Sequence, residues 1–369
     1  MKKEIKLIKF IELRYADPIS SMDLTDTYLV YGTMLGSSKY FIINKKKLIT
    51  LSEIQDEYIS GVKINQNNIY ICIGDVKILI YNCISPIIDE NLSSEEKQNY
   101  ESEEEHSKYC ENCLTMLNNN YLIRTYIDFP AEPKDDPTTK ETDIWTKNIY
   151  ENDEEIKKQI VMSNYSVPFD FDGKNYIFID FIKKEKRTFN VYDISLEQDE
   201  MKKIQFEIEA KFKSEKFGHI SHLKIIKEDA LFIVRNYNIC EIRDFNLEFK
   251  KKLNIKANEI LAYDILFEDN KDNDNNDNND NEDENNDINN KNKDIEYIII
   301  LDLDCNIFLY NYKEDKSDLL FNLEKDELGI DKIIKEQRFF SFGYPYYIKL
   351  TGNYIAISSD YGCILFQYY

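Results

Sequence analysis

The sequence predicts an all-β fold in which one small antiparallel unit is repeated. Three observations carry this. First, a short pattern recurs seven times: an apolar strand, a polar turn, a second apolar strand, another turn, and a third strand closing on an aromatic residue followed by Asn or Asp. The closing pair reads Tyr81-Asn82, Tyr192-Asp193, Arg243-Asp244 and Tyr310-Asn311; Ile43-Asn44 is a weaker copy and Tyr368-Tyr369 a degenerate one. Self-similarity at about 40–50 residues in strand-turn-strand units marks the blades of a β-propeller. Second, Tyr 27 and Phe 21 against Trp 1 give a β-prone composition. Third, Gly 10 and Pro 7 are few for so many turns, so Asn and Asp supply them, through αL tolerance and side-chain bonds to their own backbone. The fold class is therefore all-β, a seven-bladed β-propeller in a single domain over residues 1–369.

Each blade is read as strands a to d from the inside out. The first is Ile19 to Leu24, Tyr28 to Tyr31, Tyr40 to Asn44 and Leu48 to Leu51. In the second, Ile59 to Ile64, the turn Asn65-Gln66-Asn67-Asn68, Ile69 to Ile73 and Val76 to Tyr81 follow one another; an Asn-rich turn between apolar runs is a hairpin signal. The third has Cys113 to Leu117, Tyr121 to Thr125, Ile144 to Tyr150 and Ile160 to Met162. The fourth has Val167 to Phe171, Tyr176 to Phe181, Thr188 to Tyr192 and Ile204 to Ile208. The fifth runs Ile220 to Ile226, Leu231 to Val234, Ile239 to Ile242 and Leu253 to Ile255. The sixth is Leu261 to Leu266, Tyr297 to Leu301, Asn306 to Tyr310 and Leu319 to Leu323. The seventh has Tyr346 to Leu350, Tyr354 to Ser358 and Cys363 to Gln367, without an outer strand. Ile5 to Phe10 is unassigned and is expected to supply it, so that strands from both ends close the ring and hide its edges.

Three segments break the pattern: residues 86–109, with the run Glu103-Glu104-Glu105; residues 130–158, with Pro130, Pro133 and Pro137; and the Asn/Asp-rich residues 269–294. None carries enough apolar surface to offset its ordering entropy, so each is expected to be a disordered, low-complexity insertion.

The residues of the later blades resemble the WD-repeat family. Gly218-His219-Ile220-Ser221-His222-Leu223 is similar to the Gly-His start of a WD repeat, and Arg243-Asp244 falls where the family has Trp-Asp. Asp304-Cys305-Asn306 through Tyr310-Asn311 resembles the Asp-Gly turn and third strand, with Cys305 in the Gly position; Ser358-Ser359-Asp360-Tyr361-Gly362 resembles the same turn. The resemblance implies a propeller used to hold other proteins. It transfers no binding residues, because only fragments of the family's His, Ser/Thr, Asp and Trp network survive.

Net charge is −22. Such a field repels phosphate backbones and anionic lipid heads, which argues against nucleic acid and peripheral membranes as partners. No apolar run is long enough to span a bilayer. Seven Cys, with no apolar leader in MKKEIKLIKF, point to reduced thiols and a cytoplasmic or nuclear location.

Catalytic, cofactor and metal sites are all read as none. His106, Cys110 and Cys113 form a His-x3-Cys-x2-Cys cluster that would need a fourth ligand from Glu103–Glu105 to hold zinc, and coincidence is the preferred reading. His219 and His222, three apart on a strand, face opposite sides, and His219 is read as the structural hydrogen-bonder. Gly32-Thr33-Met34-Leu35-Gly36-Ser37-Ser38-Lys39 lacks Walker spacing and is read as a hairpin. Ser358-x-Asp360-x-Gly362 matches the start of an Asp-box and is read the same way. Ser93, Ser94 and Ser102 precede acidic residues, a context for acidophilic phosphorylation. The lysine runs 45–47, 183–187 and 250–252 are read as edge protection.

The leading function is thus a non-enzymatic protein-interaction scaffold within a larger complex, with Tyr237, Tyr344, Tyr346 and Tyr361 as contact candidates. A membrane-traffic or coat subunit is the alternative. A hydrolase or lyase is the third reading, and it would need Asp23, Asp170 and Asp264 to line one axial cavity.

Overall fold

The computed structural model describes residues 5–12, 17–54, 58–65, 68–73, 77–82, 115–118, 121–127, 139–146, 156–163, 169–172, 174–183, 186–197, 199–213, 217–227, 229–268, 294–323, 325, 345–359 and 362–368. The chain divides into two compact units. One holds Gly218–Glu327; the other holds Lys3–Phe217 and Leu328–Tyr369. The reading of one domain over 1–369 placed no boundary at these points.

The larger unit carries five antiparallel sheets among the described residues, four of them built from strands consecutive in sequence. The first comprises β2 (Ile19–Leu24), β3 (Tyr28–Thr33), β4 (Ser37–Ile42) and β5 (Lys47–Glu53). The second is three-stranded: β6 (Ile59–Asn65), β7 (Asn68–Ile73) and β8 (Lys77–Asn82). The third is β9 (Thr115–Asn118), β10 (Tyr121–Ile127), β11 (Thr139–Thr146) and β12 (Ile156–Ser163). The fourth is β13 (Phe169–Phe171), β14 (Asn175–Lys183), β15 (Lys186–Asp193) and β16 (Lys202–Glu207), followed by one short helix, α1 (Ile208–Lys211).

The fifth sheet joins the two ends of the chain. β25 (Pro345–Leu350), β26 (Tyr354–Ser359) and β27 (Gly362–Tyr368) are completed by β1 (Ile5–Glu12) in the order β1-β27-β26-β25. The register runs from Ile5 opposite Tyr368 to Glu12 opposite Gly362, with one irregularity between Leu7 and Lys9. The N-terminal strand therefore does take the vacant outer place.

The smaller unit has two four-stranded sheets. They are β17 (Ile220–Lys227), β18 (Ala230–Arg235), β19 (Ile239–Arg243) and β20 (Phe249–Lys252), then β21 (Ile260–Phe267), β22 (Ile295–Asp302), β23 (Asn306–Asn311) and β24 (Lys316–Asn322).

Period-two alternation explains why the middle strands are apolar throughout. Along β3, Leu29 and Tyr31 join Phe41 in a core shared with Ala356, Cys363 and Leu365 of the fifth sheet. Val30 turns the other way, with Tyr40 and Ile42, onto Ile59, Val62, Ile64 and Ile71 of the second. One sheet thus feeds two cores, and both faces of its middle strands are buried. In the smaller unit, Phe232, Val234 and Ile242 pack with Ile298, Ile300 and Tyr310 in the same manner. Close approach also needs Gly32: a Cβ there would stand 2.2 Å from Ile59 Cγ2.

The recurring Asn or Asp after the third strand has a local cause. Asp193 Oδ1 accepts from Ser195 N at 3.1 Å, Asp244 Oδ1 from Asn246 N at 2.9 Å, and Asn311 Oδ1 from Glu314 N at 3.0 Å. Each side chain closes the turn that starts the fourth strand.

Several expectations are corrected. Residues 130–158 are not all insertion: β11 lies within them and β12 begins in them. The prolines that suggested disorder end at Pro137, and Thr142, Ile144, Trp145 and Thr146 favour a strand. That strand starts at Thr139, not Ile144. The outer strand of the fifth blade is Phe249–Lys252, not Leu253 to Ile255. Lysine suits an exposed edge, so an apolar run was the wrong mark for it. Ile208 leaves the predicted fourth-blade strand and starts α1. Residues 86–109 and 269–293 lie outside the described residues.

Candidate functional site

The turns between second and third strands are rigidly held and carry exposed apolar side chains. Main-chain groups just before the first strand anchor them. Pro18 O accepts from Met34 N at 3.0 Å, His219 O from Asn236 N at 2.7 Å, and Glu259 O from Leu303 N at 2.7 Å. At the tips of these turns stand Met34, Leu35, Tyr237 and Leu303, all exposed. Apolar side chains presented on fixed backbone are suited to interfaces.

In the smaller unit two such tips meet one segment. Ile260 N donates to Tyr237 O and Leu303 N to Glu259 O, both at 2.7 Å. Asn236 and Tyr237 have φ of 50° and 66°, the consecutive left-handed pair of a tight β-hairpin. Asn236 Oδ1 accepts from His219 N at 3.0 Å, and the His219 and Tyr237 rings lie tilted with centroids 5.6 Å apart. Gly218, at φ 78°, passes so close that a Cβ would meet Asn236 Oδ1 at 2.3 Å.

The His222 ring bridges strands. Its Nδ1 lies 3.1 Å from Ser221 Oγ and its Nε2 3.4 Å from Leu261 O. Tyr263 Oη donates to Leu223 O at 3.0 Å across the same boundary. Burial pushes the His222 pKa below the ordinary imidazole value.

The three aspartates stand on three different sheets. Asp23 Oδ2 accepts from Ile64 N at 2.8 Å and lies 3.1 Å from Lys63 Nζ, tying β2 to β6. Asp170 is buried on β13, and Asp264 stands on β21 in the other unit. Residues 32–39 form the hairpin between β3 and β4: Ser37 N donates to Thr33 Oγ1 at 3.1 Å and Gly36 has φ 84°. Cys305 has φ 58°, the left-handed conformation that makes Gly the usual occupant of that place. The turn's carboxylate is Asp302, not Asp304; its Oδ1 accepts from Asn306 N at 2.9 Å. His106, Cys110, Cys113, Ser93, Ser94, Ser102, Tyr344, Asp360 and Tyr361 lie outside the described residues.

Sequence reading missed a buried ion triad. Glu241 Oε1 lies 2.6 Å from Arg235 Nη2, and its Oε2 lies 2.7 Å from Arg243 Nε. Arg243 Nη1 donates to Leu247 O at 2.6 Å. Burial alone would raise the Glu241 carboxyl, but the two guanidinium groups outweigh it and hold the pKa below the usual range. The available signal was Glu241 and Arg243 two apart on one strand face.

Among the described residues, no helix is long and apolar enough to cross a membrane, and no group of three or more His, Cys, Asp or Glu is placed to hold a metal ion. No family model and no curated protein sequence matches the chain. Solved structures do. The chain is similar to Raptor from Chaetomium thermophilum at TM-score 0.58 and 9% identity, covering 99% of this chain and 29% of that one. It is also similar to the computationally designed Ika8 protein at TM-score 0.53 and 10% identity, covering 99% and 100%. At such identities the likeness concerns the fold alone. The repeated antiparallel sheets and these likenesses in fold fit a β-propeller.

Proposed function

We propose that the seven sheets are the blades of one WD-repeat-like propeller, latched by β1 beside β27, and that it serves as a non-enzymatic scaffold in a larger protein complex. The observation that carries this reading is the set of exposed apolar side chains on braced turns, Met34 and Leu35 in one unit and Tyr237 and Leu303 in the other. Asp23 supports the same reading, because its carboxylate ties two strands together. A reduced, intracellular setting accords with four buried free thiols, Cys72, Cys240, Cys305 and Cys363.

Affinity purification of the tagged chain from its native cells, with mass spectrometry and sizing of the eluate, tests this. A stoichiometric protein partner is expected. A chain that elutes alone, or that turns over a substrate in an activity screen, would overturn the proposal.

A further inference from the structure

We infer that the tip formed by Tyr237, Glu259, Leu303 and Asp304 docks a partner-protein segment presenting an arginine beside an apolar side chain. The inference rests on the scaffold reading and adds the chemistry of the occupant.

Tyr237 is the starting point. Two consecutive positions of positive φ in a tight hairpin turn favour Asn-Gly. Asn236 meets that preference, whereas Tyr237, at φ 66°, is a bulky side chain in a conformation disfavoured for it. The fold gains little core from the ring, which is 45% exposed. Strain kept at an exposed position is a pointer to use, and the bond from Ile260 N to Tyr237 O helps to hold the backbone there.

The neighbours define what fits. Leu303 is 41% exposed, and its N–H is bonded to Glu259 O, beside the residue that bonds Tyr237. The tip therefore has an aromatic face and an aliphatic side chain, with the acidic Glu259 joined to Leu303 through the main chain. Asp304 follows Leu303 and is exposed; its Oδ2 accepts from Asn258 Nδ2 at 3.1 Å. A guanidinium stacks on a phenol ring and pairs with a carboxylate through its planar fork. An adjoining apolar side chain covers Leu303. The net charge of −22 steers basic segments toward the chain.

The test uses the full-length chain and immobilised short peptides with a central arginine flanked by leucines, beside copies carrying citrulline in its place. Tyr237→Gly restores the favoured turn, so its melting temperature is expected to hold or rise. The arginine peptides should bind the parent chain, and binding should fall about ten-fold or more in Tyr237→Gly and in the Glu259→Gln, Asp304→Asn double variant. Citrulline peptides should bind poorly. Failure of every arginine peptide to bind, equal binding of citrulline, indifference to the variants, or a lower melting temperature for Tyr237→Gly would each overturn the inference. A stoichiometric cellular partner that still binds Tyr237→Gly at full strength would remove this site and leave the scaffold reading standing.

Discussion

Asp23 Oδ2 accepts a hydrogen bond from the main-chain N–H of Ile64 at 2.8 Å, so the first strands of two sheets are joined by a side chain and not by a ladder. Val62 N donates to Ser21 Oγ at 3.0 Å one step away, and Lys63 Nζ stands 3.1 Å from the same aspartate. Replacing Asp23 by Ala strands a buried N–H, at a cost of about 1–3 kcal/mol. Asp23→Asn keeps an acceptor and should cost less. Urea unfolding of the two variants checks the order; equal losses would contradict this role.

Glu241 is held between Arg235 and Arg243, with its side chain only 5% exposed. Glu241→Ala leaves two guanidinium groups with no carboxylate between them, and a loss of about 3–5 kcal/mol is expected. Replacing all three by apolar residues of similar volume should recover much of it. Chemical denaturation of the single and triple variants decides the matter, and a mild single-variant effect would count against the triad.

Gly32 faces Ile59 at a distance that admits no Cβ. Gly32→Ala should destabilise by about 1–3 kcal/mol through overpacking between two sheets. Combining it with Ile59→Ala should be less harmful than the sum of the singles. Strict additivity in thermal melts would show that the two do not meet.

His222 is half-buried, with its folded pKa lowered from an ordinary 6.5 by desolvation. The unfolded chain therefore takes up a proton here before the folded one does. The stabilisation is fully present above pH 6.5 and declines as pH falls below it, levelling off beneath the folded pKa. Glu241 and Asp193, both lowered, act in a separate and more acidic window, below the usual carboxylate values. His222→Gln should flatten the stability profile between neutrality and about pH 5 while leaving the acid limb intact. A parent chain with no slope in that interval would refute the assignment.

β1 is the outer strand of a sheet whose other members come from the far end of the sequence. Deleting residues 1–12 bares the edge of β27, so the truncated chain should melt earlier and aggregate. A synthetic peptide spanning Ile5–Glu12 should restore solubility when added. An unchanged melting curve after truncation would show that the strand is dispensable.

The recurring closing pairs were legible because each Asn or Asp performs a local task, closing a turn within a few residues. The same holds for the middle strands, since a run buried on both faces is apolar at every position. Edge strands were less legible. Phe249–Lys252 carries three lysines, and only its ladder to Glu241, Ile242 and Arg243 makes it a strand. The tip at Tyr237 was half legible: the sequence marked an aromatic turn, while its neighbours Glu259 and Leu303 are brought in by hydrogen bonds between residues distant along the chain.

By itself the sequence determined the all-β class, the repeat and the strand that completes the last sheet, because hydrophobic period and turn chemistry are local properties. Tertiary structure alone decided that Asp23 ties β2 to β6 and that the His222 ring reaches the main chain of Leu261. Those outcomes depend on which strands lie side by side, and a one-dimensional pattern does not encode the chemistry of a neighbour about 40 residues away.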